Sequence, residues 1–107
     1  FYDFEAKYTS SEDEVSLVIP ADVSPRLLRR LQKVATQTFT AMGCEGLARV
    51  DLFVTADDEV WVNELNTMPG FTRISMYPSL WQASGVPYPD LLAELIQLAL
   101  DRPLGLR

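Results

Sequence analysis

Two alternating runs, 47–55 and 60–66, constrain this chain more than any other feature in it. A side-chain period of two marks a strand with unlike faces. From Leu47 to Thr55, Ala48, Val50, Leu52 and Val54 fall on one face and Arg49, Asp51, Phe53 and Thr55 on the other. Val60 to Asn66 alternates again, with Trp61, Asn63 and Leu65 against Val62, Glu64 and Asn66. Ala56-Asp57-Asp58-Glu59 between them is a turn, so the pair is expected to form an antiparallel hairpin with a four-residue loop. That loop sets Thr55 opposite Val60, Phe53 opposite Val62, Asp51 opposite Glu64 and Arg49 opposite Asn66. Directly opposed residues project from the same face. A slip of one would oppose Asp51 to Leu65 and mix polar with apolar residues on both faces.

Two opposed carboxylates repel, at a cost of roughly 0.2–1 kcal/mol when solvated. Arg49, two residues from Asp51 on the same face, is one candidate to offset that cost. A divalent cation is another. Asp51, Glu64 and Asn66 present five side-chain oxygens in a small patch, the donor chemistry of Mg²⁺. The plain alternative is a surface hairpin with a salt-bridged polar face, and the pattern alone leaves both open.

The rest of the chain supplies helices to cover such a hairpin. Ser24-Pro25 is an N-cap followed by proline at the first helical position. Leu27, Leu31, Val34 and Thr38, with the adjoining row Leu28, Ala35, Phe39 and Met42, make a broad apolar stripe that Gly43 ends. Arg26, Arg29, Arg30 and Lys33 lie mainly off the stripe, on a face expected to be solvated. Val15–Ile19 has strand composition before Pro20, after a loop-like segment 1–14. Thr67-Met68-Pro69-Gly70 signals a turn, with glycine free to take positive φ. Short helices are expected over Tyr77–Gly85 and Pro89–Leu100. The second has a wide apolar face of Leu91, Leu92, Leu95, Ile96, Leu98 and Ala99. Trp61 and Trp81 are expected to pack.

Composition removes several chemistries. The 107 residues include no histidine and one cysteine, Cys44. No intramolecular disulfide, Ser–His–Asp triad or histidine-bound zinc is available, and a metal here would be a hard, oxygen-bound cation. Cys44 reads as a small filler residue. The net charge of −6, without a basic cluster, argues against nucleic acid and anionic membrane as partners. No apolar run is long enough to span a bilayer. The opening Phe1-Tyr2-Asp3-Phe4, without an initiator methionine, suggests a cut inside a longer protein.

Leu47-Ala48-Arg49-Val50-Asp51, followed by Asn63-Glu64-Leu65-Asn66-Thr67-Met68-Pro69-Gly70-Phe71-Thr72 and Ser75, resembles the late core of the ATP-grasp superfamily in its D-alanine–D-alanine ligase version. Phe1-Tyr2-Asp3-Phe4-Glu5-Ala6-Lys7-Tyr8 resembles the same family's active-site loop. The resemblance implies an α/β fold of α+β type, the C-terminal part of the ATP-grasp fold, with an antiparallel sheet packed by helices. Segment 1–14 would be the active-site loop and 15–107 the C-terminal domain. It implies a cytoplasmic, homodimeric enzyme that uses ATP and two Mg²⁺ ions, with Mn²⁺ as a substitute. That enzyme joins two D-alanines through an acylphosphate for peptidoglycan precursor synthesis. Asp51, Glu64 and Asn66 match the metal ligands, with Glu64 bridging the ions that hold ATP. Arg49 and the Gly70 backbone N–H match the group stabilising the tetrahedral intermediate, and Ser75 the serine that binds the second D-alanine's carboxylate. Lys7 matches a loop lysine on that carboxylate or the transferred phosphate, Tyr8 a tyrosine of dipeptide-forming ligases, and Phe1 an aromatic that touches nucleotide.

Arg73, Ile74 and Met76 depart from the family's usual residues beside the second-substrate pocket. The adenine pocket and first D-alanine site would lie on N-terminal and central domains, so these residues alone are expected to be inactive. The competing readings are another ATP-grasp carboxylate–amine ligase, a D-alanine–D-lactate ligase, or a non-catalytic module on the same core.

Overall fold

The computed structural model describes residues 17–103. In chain order the elements are α1 (Pro25–Ala41), β1 (Arg49–Val54), β2 (Val60–Asn66), α2 (Met76–Ala83) and α3 (Tyr88–Asp101). The two strands form one antiparallel sheet, α1 packs against both of them, and α2 and α3 pack against each other. This is the expected α+β arrangement of a hairpin with helices. Of the expected strand Val15–Ile19, residues 17–19 are described and are not in a strand.

Helix α1 begins where capping chemistry dictates. Ser24 is its N-cap, with the side-chain oxygen accepting from the Leu27 N–H at 3.1 Å, and Pro25 follows at the first helical position. Gly43 closes the other end at φ +68°. The Cys44 N–H donates to the Phe39 carbonyl and the Gly43 N–H to the Thr40 carbonyl, each at 3.1 Å. These two bonds satisfy carbonyls the helix itself leaves open, and the left-handed turn they require favours glycine. Leu27 is buried and Leu31, Val34, Ala35, Thr38 and Phe39 are half-buried, whereas Leu28 and Met42 are exposed. The buried stripe is therefore narrower than the sequence pattern. Arg26, Arg29, Arg30 and Lys33 are solvated, as expected.

The hairpin departs from its expected register twice, and the departures cancel. Its loop is shorter by one residue. The Thr55 N–H donates to the Glu59 carbonyl, the Asp58 N–H to the Thr55 carbonyl, and the Thr55 hydroxyl oxygen accepts from the Glu59 N–H, all at 3.0 Å. Asp58 takes φ +60°, the left-handed position that a three-residue loop needs after its tight turn. Near the tip the pairs are accordingly Val54 with Val60, Phe53 with Trp61 and Leu52 with Val62, not the expected Thr55–Val60 and Phe53–Val62. A β-bulge then falls between Asp51 and Leu52, with Asn63 as the extra residue on β2. Beyond it the pairs are Asp51 with Glu64, Val50 with Leu65 and Arg49 with Asn66, the polar register read from the sequence.

The bulge sorts the side chains. Strict alternation would have put Val62 on the face of Glu64 and Asn66. With one extra residue, Val62 joins Val50, Leu52, Val54, Val60 and Leu65 on an aliphatic face. Trp61 moves to the face of Arg49, Asp51, Phe53, Glu64 and Asn66, where it and Phe53 are each 60% exposed. The expectation that Trp61 packs is thus wrong.

Helix α3 buries Leu91 fully and Tyr88 and Leu95 partly, leaving Leu92, Ile96 and Leu98 exposed. Its apolar face is wider than the surface α2 offers. Two contacts at the ends of α3 tie the α2–α3 pair to the rest. The Tyr88 hydroxyl donates to the Phe71 carbonyl, and the Arg102 guanidinium pairs with the Glu45 carboxylate after α1.

Candidate functional site

The polar face of the hairpin and the loop that follows β2 hold most of the residues singled out from sequence. Asp51 and Glu64 oppose each other across the strands, so their mutual repulsion needs an offset. Arg49 supplies it. Its Nε and Nη2 donate to the two Asp51 oxygens at 2.8 and 3.0 Å, and Nη2 also lies 3.6 Å from Glu64 Oε1. The fork matches the carboxylate in bidentate fashion, a stronger arrangement than a single ion pair. Arg49 and Asp51 are about one quarter to one third exposed, and Glu64 is 61% exposed, so solvent screens the Glu64 contact most.

Asn66 lies opposite Arg49 at the base of this face. Its Oδ1 accepts from the Met68 N–H at 2.9 Å, which fixes the amide's orientation and bends the chain out of β2. Among the described residues, no three His, Cys, Asp or Glu side chains come together as a metal cluster. A cation held here would draw on Asp51, Glu64 and the Asn66 amide oxygen, then complete its shell from substrate and water. That sparse oxygen set suits Mg²⁺. Arg49 does not prevent it, because an ionised carboxylate has about four lone-pair sites.

The loop from Thr67 to Ser75 is held by aromatic packing. Phe71 sits 5.5 Å from Tyr77 and 5.8 Å from Tyr88 between ring centroids, and Tyr77 lies 6.4 Å from Trp81. Burial pushes the Tyr77 hydroxyl pKa up and its hydrogen bond with Trp81 partly opposes that, so the ring stays neutral at physiological pH. Trp81 packs as expected, although 41% of it is exposed. Tyr77 is buried, as are Pro69 and Pro78.

Gly70 meets a constraint other than the expected positive φ. It does not adopt positive φ. A Cβ there would lie 3.0 Å from Ser75 Oγ and 3.5 Å from Ser75 Cβ. The position needs a small residue because Ser75 folds back against it. Ser75 is the N-cap of α2, and its side chain makes no capping bond. Its Oγ instead accepts from the Thr72 N–H at 3.0 Å and lies 2.7 Å from Thr72 Oγ1.

The structure therefore brings Arg49, Asp51, Glu64 and Asn66 onto one face and sets Gly70 against Ser75 in the loop that follows. Phe1, Lys7 and Tyr8 lie outside the described residues. Sequence reasoning gave no role to Thr72 or Tyr88. The signal for Thr72 was available as a hydroxyl three residues before Ser75, a spacing at which side chains close a turn. For Tyr88, seventeen residues from Phe71, there was none.

Comparison with known proteins places the chain in a family. A family model described as the D-ala D-ala ligase C-terminus matches residues 1–97. A D-alanine–D-alanine ligase of Shouchella clausii is 55% identical over 102 residues, covering 95% of this chain and 27% of the relative. The solved D-alanine–D-alanine ligase from Coxiella burnetii matches with a TM-score of 0.75 at 52% identity, over 77% of this chain and 24% of that one. The Bacillus anthracis D-alanine–D-alanine ligase complexed with ATP matches with a TM-score of 0.70 at 34% identity, over 75% of this chain and 27% of that one. The chain spans about a quarter of the length of these relatives.

Proposed function

The chain belongs to the D-ala D-ala ligase C-terminus family, with the fold of the C-terminal part of an ATP-grasp ligase, and from this we propose that it serves in an ATP-dependent enzyme joining two D-alanines. The observation that carries the reading is the hairpin register, which gathers one cation and three oxygen-bearing side chains on a single face.

In this reading ATP phosphorylates the carboxylate of the first D-alanine, and the amine of the second displaces phosphate. Mg²⁺ supplies neutralisation of phosphate charge and in-line alignment. Asp51, Glu64 and Asn66 hold the metal end, their oxygens directed from one strand face. Arg49 holds Asp51 in one orientation through its two-pronged contact. It also offers a permanently charged donor for the developing oxyanion, and the Gly70 N–H gives a neutral one. Ser75 receives the carboxylate of the second D-alanine at the start of α2, where backbone N–H groups favour an anion. Lys7, Tyr8 and Phe1 act from the preceding segment, on the carboxylate or phosphate, on the amine nucleophile and on the nucleotide respectively. The adenine and first D-alanine sites belong to other domains, and the enzyme works as a cytoplasmic homodimer in peptidoglycan precursor synthesis. These last roles rest on family resemblance alone.

The test is phosphate release from ATP by the full-length protein with Mg²⁺ and D-alanine, then with D-lactate added. Release with D-alanine alone, reduced by about 10²-fold or more in Glu64→Gln, is the expected result. No release with D-alanine refutes the substrate assignment. Full activity of Glu64→Gln moves the metal elsewhere.

A further inference from the structure

The Ser75 hydroxyl is placed unusually for an N-cap. Such a side chain ordinarily accepts from the second or third N–H of its helix, and Ser75 makes no such bond. The hydroxyl turns back toward Thr72, where a closed four-residue turn holds it. The Ser75 N–H donates to the Thr72 carbonyl, and the Thr72 N–H donates to Ser75 Oγ, both at 3.0 Å. Thr72 Oγ1 lies 2.7 Å from the same oxygen. Gly70 closes another side, since even a methyl group there would touch Oγ at 3.0 Å.

A hydroxyl has one proton to give and two lone pairs to receive with. The Thr72 N–H takes one lone pair of Ser75 Oγ. When the Thr72 hydroxyl donates to the other, the Ser75 proton is directed out of the turn. A carboxylate accepts only, so it binds Ser75 in that polarity. In the reverse polarity Ser75 spends its proton on Thr72 and presents nothing to an anion.

We propose that Thr72 is a positioning residue for the second D-alanine, holding Ser75 Oγ in place and directing its proton toward the substrate carboxylate. The proposal rests on the reading of Ser75 given above. Thr72 touches no substrate itself. Its side chain is exposed and so is its bond to Ser75, so folding stability depends on that bond little.

The experiment uses the full-length ligase with Thr72→Val, Thr72→Ser, Ser75→Ala and the Thr72→Val/Ser75→Ala pair. D-alanine saturation is measured at saturating ATP and resolved into constants for the two D-alanine sites. Thr72→Val is expected to weaken the second D-alanine site about three- to tenfold, the worth of one modest hydrogen bond. It leaves kcat, the KM for ATP and the melting temperature unchanged. Thr72→Ser, which keeps the hydroxyl, returns the constant to within about twofold of the parent. Ser75→Ala weakens the same site, and adding Thr72→Val to it has no further effect, because residues acting through one group do not add. If Ser75→Ala weakens the second site and Thr72→Val does not, the role given to Thr72 is wrong. The same holds if Thr72→Val keeps its full effect in the Ser75→Ala background. If Ser75→Ala leaves the second site untouched, the reading of Ser75 is wrong and the proposal falls with it.

Discussion

Deleting Asn63 tests whether the β-bulge aims the polar face. On the tip side of the bulge Leu52 faces Val62, and on the base side Asp51 faces Glu64. Asn63 is the residue left over, and it is exposed. Its removal leaves both sets of pairs intact and makes the ladder continuous. One residue fewer to order relieves about 1–2 kcal/mol of backbone entropy, set against the strain of straightening a strand that had bent to fit. The two effects are of similar size, so stability should stay within about 2 kcal/mol of the parent. The site should fare differently. A bulge bends its strand and raises the local twist, and without it Glu64 and Asn66 meet Arg49 and Asp51 at a changed angle. A displacement of about 1 Å at a reacting centre is enough to cost about 10²-fold in rate. The assay is phosphate release by the full-length protein beside its urea unfolding midpoint, with Asn63→Ala, which keeps the bulge, as control. Parent-like turnover after the deletion would show that the bulge does not aim the site. A stability loss well beyond 2 kcal/mol would mean that the pairs on either side are not independent of Asn63.

Two glycine substitutions separate conformational from steric demand. Gly43→Ala has open space around it but φ +68°, so it should cost about 1 kcal/mol of stability with the D-alanine constants unchanged, as read by denaturant unfolding and saturation kinetics. Gly70→Ala carries no positive-φ penalty, but its methyl meets Ser75 Oγ at 3.0 Å. On the role proposed for Ser75 it should weaken the second D-alanine site by about tenfold, with a smaller stability loss than Gly43→Ala. The opposite ranking of stabilities would make Gly70 a backbone position after all.

Much of the polar face was legible in the sequence, and its register shows how. Alternation in 47–55 and 60–66 opposed Asp51 to Glu64 and Arg49 to Asn66, and those pairs are present. The loop length behind that reading was too long by one residue. Nothing in Ala56-Asp57-Asp58-Glu59 announces that Asp58, rather than a glycine, takes the left-handed position. The bulge at Asn63 restored the register by an equal shift, and it too lacks a local signal, since neither glycine nor proline marks it. What fixes it is the sorting of Val62 onto the aliphatic face, which only the paired strands reveal. Gly70 illustrates a different limit. Proline followed by glycine predicts a turn with positive φ, but the constraint comes from Ser75, five positions later, through a contact that a four-residue window omits. Capping was legible because it is local. Ser24, Pro25 and Gly43 each act within a few residues of their own place in the chain.

The two ties at the ends of α3 have a mechanical consequence. Tyr88, at the first residue of the helix, holds the loop through Phe71, and Arg102, one residue past its end, holds the segment after α1 through Glu45. A helix of 14 residues is a rod roughly 20 Å long. Such a rod sets the spacing between its two attachments, so while both ties hold, a shift of the loop bearing Gly70 and Ser75 is passed on to the α1–β1 connection. Movement of that loop would then act as a lever about α3, reaching the connection that leads into the strand bearing Arg49 and Asp51.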